Sequence, residues 1–169
     1  MSDAKLKRIF GQAYHSVFAE NKLTLGINFP IEAYSSPVPL MENQVALAQQ
    51  AERGGFAALW SRDVPLFDPS FGDVGQINDP WVWLGYIAAH TSHIALGTGA
   101  IILPLRNKVD LAKAAASVDQ LSNGRLIMGV ASGDRPVEYS VYDVPFETRD
   151  ESFREAIHFI QKTTHRPNN

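Results

Sequence analysis

The stretch from Ile94 to Asp134 decides the fold. It reads IALGTGAIILPLR (94–106), NKVDLAKAAASVDQLSNG (107–124) and RLIMGVASGD (125–134). Ile94 to Leu103 is a largely apolar run closed by Pro104, the pattern of a strand buried on both faces. From Asp110 to Leu121 the period changes, and Leu111, Ala114, Ala115, Val118 and Leu121 fall on one face of a helix. Gly124 stands where that helix stops. Leu126 to Val130 is a second short apolar run, followed by the small and polar Ala131, Ser132, Gly133 and Asp134. Strand, helix and strand in this order predict a parallel crossover.

The same unit recurs on either side. Leu23 to Phe29 predicts a first strand ended by Pro30. Leu40 to Arg53 predicts a helix with Met41, Val45 and Ala48 at helical spacing, stopped by Gly54 and Gly55. Phe56 to Trp60 is a second strand. The segment from Ser61 to Asn78 carries Pro65, Pro69, Gly72 and Gly75 and reads as a loop. Asp79 and Pro80 then supply a cap and a first-turn proline for a helix lined by Trp81, Leu84 and Ala88. After Asp134 an irregular segment reaches Phe146. Thr148 to Glu151 has the capping-box pattern and opens a last helix with Phe153, Ala156, Ile157 and Ile160 on its apolar face. Asp3 to Phe18 is amphipathic, with Leu6, Ile9, Phe10, Ala13 and Val17 as a stripe. The expected division is a helical extension over 1–22, an α/β body over 23–163 and a frayed tail over 164–169. Strand starts near 23, 57, 94 and 126 are spaced by 34, 37 and 32 residues. Units of this size make right-handed crossovers, and they build either an open doubly wound sheet or a closed barrel.

Composition narrows the function classes. Of 169 residues, 45% are hydrophobic and 20% charged, which is ordinary for a globular protein. No window approaches the roughly 18 consecutive apolar residues of a membrane helix, and the opening MSDAKLKRIF lacks the apolar core of a secretory leader. Cysteine is absent, which excludes disulfides, a thiolate nucleophile and Cys-based metal sites. The five histidines show no metal spacing. Net charge is -3 with no basic cluster, which argues against nucleic acid as a partner. The expectation is a cytoplasmic protein with no membrane or metal association.

The segment GTGAIILPLRNKVDLAKAAASVDQLSNGRLIMGVASGD (97–134) resembles the luciferase-like monooxygenase family, the flavin-dependent relatives of bacterial luciferase. The likeness runs from about Leu23 to about Ile157 and includes RDVPLFDPSFGDVGQ (62–76) and ASGDRPVEY (131–139). It implies a TIM-barrel type fold of parallel β/α units, of which four of eight are present, so a half barrel is expected. An eightfold barrel typically takes about 250 residues. Open strand edges in a half barrel leave three explanations, a truncated chain, two copies completing one core, or a flat layer covered by a partner, and a homo-oligomer, at least a dimer, is the expectation. The resemblance implies a small-molecule substrate and reduced flavin mononucleotide (FMN), or else the deazaflavin coenzyme, as cofactor. The alternative is a non-catalytic half-barrel oligomer or interaction module without a cofactor phosphate site.

Barrel active sites lie at the carboxyl ends of the strands. In this family the third strand carries a bulge behind the flavin ring, with a cis peptide bond that does not involve proline. The motif puts that bond at Gly99-Ala100, so Thr98, Gly99 and Ala100 are cofactor candidates. The residues alone also read as small side chains that let a strand and helix pack closely. Ala131, Ser132 and Gly133 follow the fourth strand and are further cofactor candidates, although an ordinary Ser-Gly-Asp turn has the same sequence. The family's reactive Cys and phosphate-contacting Arg are replaced here by Ala131 and Ser132. After the second strand, the family's Glu-His-His is replaced by Asp63, Val64 and Pro65. Asp63 is thus the candidate acid or base, against a solvated carboxylate paired with Arg62. Phe29, at the end of the first strand, is the candidate substrate contact.

Overall fold

The computed structural model describes residues 11–32, 38–71 and 77–163. The expected stripe positions Leu6, Ile9 and Phe10, the loop residues Gly72 and Gly75, and the tail over 164–169 lie outside the described residues.

Among the described residues, four strands are interleaved with six α-helices. They are α1 (Gln12–Val17), β1 (Gly26–Phe29), α2 (Gln44–Arg53), β2 (Ala58–Ser61), α3 (Pro80–His90), β3 (Ala95–Ile102), α4 (Lys108–Leu121), β4 (Leu126–Ala131), α5 (Pro136–Val141) and α6 (Arg149–Thr163). The sheet order is β1-β2-β3-β4 and every neighbouring pair is parallel. This is the α/β architecture of successive β/α units that the spacing predicts. Among the described residues no helix is long and apolar enough to cross a membrane.

Side-chain alternation gives the sheet two faces. Ile27, Phe29, Leu59, Leu96 and Leu126 face the helices and pack with Ala48, Ala51, Trp83, Leu84 and Ile87. The other face carries Ala58, Trp60, Ala95 and Ile127, and α1 lies across it through Ala13 and Val17. These contacts sit at the amino ends of the strands, so the opposite ends of that face stay clear of α1. A second helix-side cluster joins Ile101, Leu103 and Leu111 to Ala156 on α6.

Two polar bolts fix the turns at the amino ends. Glu52, on α2, accepts hydrogen bonds from the amides of Ser92, His93 and Ile94 at 2.8–3.0 Å. Arg125 is buried just before β4 and donates to the carbonyls of Ala88, Thr91, Ile94 and Ser122 and to the Thr91 hydroxyl. Asp79 caps α3 by accepting from the amides of Trp81 and Val82, as its sequence predicts.

Several local expectations change. β1 begins at Gly26 rather than Leu23, and Leu23 is 87% exposed. Leu121 is 72% exposed, because α4 ends there at its cap Ser122 and the last turn runs past the sheet. The capping box at Thr148 is not formed: a 3-10 turn over Phe146–Thr148 precedes α6, and the Thr148 hydroxyl bonds the Pro145 carbonyl. The segment after Asp134 is not irregular throughout, since it contains α5 with Pro136 in its first turn.

Candidate functional site

At the carboxyl end of β3 the backbone departs from regular pairing. The β3–β4 register shifts between Thr98 and Ile101, and Gly99-Ala100 is a cis peptide bond. The bulge crowds β4: a Cβ on Gly129 would stand 2.1 Å from the Thr98 carbonyl oxygen, so only glycine fits there. Gly97, Gly99, Gly129 and Ala131 follow one another on the face opposite the helices. None carries a side chain larger than a methyl group. Trp60 closes the β2 side of this shelf, and its indole lies where a Cβ on Gly97 or Gly26 would be, at 2.2 and 2.4 Å. Gly99 itself is exposed, and a Cβ there would meet only Trp60 atoms at 3.8 and 3.9 Å.

A recess of about 110 Å³ opens beside the shelf. Gly99, Ala100 and Ala131 form its floor, and Asp63, Arg135 and Glu138 are among its walls. Asp63 is buried, and both of its oxygens are engaged. Arg106 donates to them through Nη2 at 2.5 Å and Nε at 3.1 Å, and the Ile102 amide donates at 3.0 Å. Arg106 also reaches Asp79 at 3.4 Å. Burial alone would lower the Arg106 pKa, but the hydrogen bonds and charge of Asp63 outweigh it and raise the value. The loop after β2 is thereby tied to the end of β3. In place of the neighbouring Arg62 that the alternative reading offered, the partner of Asp63 comes from more than forty residues away in the chain, which local spacing does not reveal.

On the other wall, Arg135 and Glu138 are both buried, with Nη1 and Oε1 3.9 Å apart. The Arg135 guanidinium also lies 4.1 Å from the centroid of the Phe71 ring, a cation–π distance. Burial pushes the Glu138 carboxyl above its ordinary value; Arg135 opposes this, and Asp63, Asp134 and Asp68 add to it. Gly133 adopts a φ of +81° that turns the chain toward α5, and a Cβ there would come 2.7 Å from Ile102 Cγ2. The Tyr139 hydroxyl donates to the Ser132 carbonyl and holds this turn.

The structure brings Asp63, Gly99, Ala100 and Ala131 together around one recess. Ser132 and Gly133 form the adjoining turn and do not line it. Thr98 is fully buried and its hydroxyl donates to the Gly129 carbonyl at 2.8 Å, so its side chain bridges two strands and does not reach the shelf. Phe29 stands apart from the recess. Its ring is 2% exposed on the helix side, with its centroid 4.9 Å from that of Trp83. Sequence reading passed over Arg106 and Glu138. Pro136 was the available signal for a helix start that would have placed Glu138.

Does the shelf suit a flavin? A planar ring needs a flat, side-chain-free surface with apolar edges, and the run of Gly99, Gly129 and Ala131 beside Trp60 is such a surface. The residues present fit.

Comparison with known proteins gives the family. A family model described as luciferase-like monooxygenase matches residues 24–168. The oxygenase component of a flavin-dependent trigonelline monooxygenase from Acinetobacter baylyi is 33% identical over 59% of this chain and 26% of its own length. An F420-dependent glucose-6-phosphate dehydrogenase from Kineococcus radiotolerans is 35% identical over 68% of this chain and 34% of its own. Among solved structures, the monooxygenase RslO1 from Streptomyces bottropensis superposes with a TM-score of 0.70 at 25% identity, covering 83% of this chain and 42% of that one. The chain thus spans about a quarter to a third of the curated relatives named here. Its four parallel strands are β/α units of the TIM-barrel type seen in these enzymes. With the family model matched over most of its length, this chain belongs to the luciferase-like monooxygenases.

Proposed function

We propose that this chain is the flavin-facing portion of a luciferase-like oxidoreductase that would hold reduced FMN beside a small organic substrate, with dioxygen as the oxidant. The observation that carries this reading is the bare backbone shelf at the carboxyl end of β3 and β4, with the cis Gly99-Ala100 bond at its centre. When bound, the flavin supplies the electron-transfer chemistry, and the protein contributes binding, orientation and exclusion of water. Gly99, Ala100 and Ala131 would back the ring, and Trp60 would border it. Thr98, Ser132 and Gly133 would serve through the backbone course they impose. Asp63, held by Arg106 and the Ile102 amide, would keep the wall in place as a positioning residue. Of the two curated relatives named above, one is described as flavin-dependent and one as F420-dependent. A deazaflavin ring has the same planar outline, so the shelf alone admits both.

The test is a titration of the purified chain with FMN, read by quenching of flavin fluorescence and a shift of its visible bands, with a deazaflavin coenzyme titrated in parallel. Saturable quenching is expected with FMN. Absence of quenching for both rings at high micromolar concentration would overturn the reading. Tighter binding of the deazaflavin would reassign the cofactor.

A further inference from the structure

The flavin reading leaves the buried carboxyl of Glu138 unused. Glu138 is 3% exposed, yet it lines the same recess as Gly99, Ala100 and Ala131. Its carboxyl has a single ionic partner among the described residues, Arg135 at 3.9 Å, which is too long for a hydrogen bond. The remaining charges around it are mostly of its own sign. Asp63 faces it from the loop after β2, Asp68 from further along that loop, and Asp134 from the turn before α5. Arg106 is committed to Asp63 and Asp79, and Arg135 is stacked on Phe71. The Tyr139 hydroxyl is spent on the Ser132 carbonyl. Arg62 also lines the recess. A buried carboxylate with its ionic partner 3.9 Å away and three acids around it is poorly supported in its charged form.

A ring laid on the shelf covers the recess and strips water from Glu138. That penalises the carboxylate and leaves the neutral acid nearly untouched. By linkage, a ligand that favours the protonated group binds more tightly when that group is protonated, and its binding takes up a proton.

We propose that Glu138 is a proton-linked loading switch for this site: a planar ring enters on the protonated carboxyl and is released more readily from the carboxylate. The proposal rests on the flavin reading above and deepens it. Affinity rises as the pH falls through the range between the free and the ligand-bound pKa of Glu138. For one linked proton the steepest change is about tenfold per pH unit.

The experiment measures dissociation constants for riboflavin and FMN by fluorescence quenching from about pH 5 to about pH 8, a window that starts above the ordinary glutamate value. The parent is compared with Glu138→Gln, a neutral isostere. Riboflavin lacks the phosphate, and the phosphate's own titration is common to both proteins. The parent should bind more tightly toward acid, whereas Glu138→Gln should bind riboflavin with a flat profile, near the parent's acid-limit affinity. Parallel profiles in the two proteins would overturn the switch and leave the flavin site standing. Failure of both ligands to bind at any pH would remove the flavin reading and the switch with it. If Glu138→Gln does not fold, calorimetric binding heats of the parent in buffers of differing ionisation enthalpy decide: net proton uptake is expected with riboflavin, and none overturns the proposal.

Discussion

Gly99 presents bare backbone at the centre of the shelf, and an added Cβ would find no atom nearer than 3.8 Å. Space for a side chain therefore exists in the protein alone and disappears only when a ring lies there. Gly99→Val should accordingly abolish flavin binding. Its cost to stability should stay within about 1 kcal/mol, the scale of a tolerated substitution. Quenching titrations and a melting curve on the same sample check both halves. If Gly99→Val binds flavin like the parent, the ring is not on this shelf. Asp63 makes the opposite case. Both of its oxygens hold Arg106, and it is buried. Asp63→Asn would leave that guanidinium with a neutral partner. A loss of about 3–5 kcal/mol is expected, the scale for breaking a buried pair, and denaturant unfolding measures it. Wild-type stability in Asp63→Asn would show that the pair contributes little and would reopen a chemical role for the carboxylate.

At the scale of elements, Glu52 fastens the end of α2 to the start of β3 through three amides. Burial by itself would raise its pKa. The amides of His93, Ile94 and Ser92, helped by the His93 side chain, outweigh burial and hold the carboxyl below its ordinary range. The folded value is the lower one, so this stabilisation is complete above the unfolded glutamate value of about 4.3. It is lost as the pH falls through the folded value. Glu52→Gln should lower stability by about 1–3 kcal/mol at neutral pH, and its melting temperature should fall less steeply than the parent's on acidification. Equal slopes below the ordinary glutamate range would show that Glu52 is not what titrates. The elements themselves were legible because each apolar run is bounded by Gly or Pro, as at Pro30, Gly54, Pro104 and Gly124. What was not legible is which way a residue points near a strand end. Thr98 adjoins Gly99 in sequence yet faces the helices, because alternation along β3 sends it there with Leu96. Phe29 shares the face of Ile27 for the same reason. Glu138 was missed because its burial comes from groups far away in the chain: the Phe71 ring stacked on Arg135 and the loop that carries Asp63.

For the whole molecule, the sheet order leaves β1 and β4 each with one paired side among the described residues. Next to β1 the chain displays Leu23 at 87% and Leu25 at 59% exposure, and all six residues of β4 are only partly buried. Helix α1 covers the inner face at the amino ends of the strands but pairs with neither edge. Unpaired backbone flanked by exposed leucines is a template for further strand pairing. This 169-residue chain should therefore self-associate in solution, with light scattering giving at least twice its 18.6 kDa. Lysine on an edge blocks such pairing, because the charge cannot be buried against a second backbone. The double variant Leu23→Lys with Leu25→Lys changes two exposed side chains, so the fold should survive while the scattering mass falls to that of one chain. A parent that stays monomeric at high concentration would show that the edges are protected by something other than a second copy. A double variant that still assembles would move the contact away from β1 and toward the free side of β4.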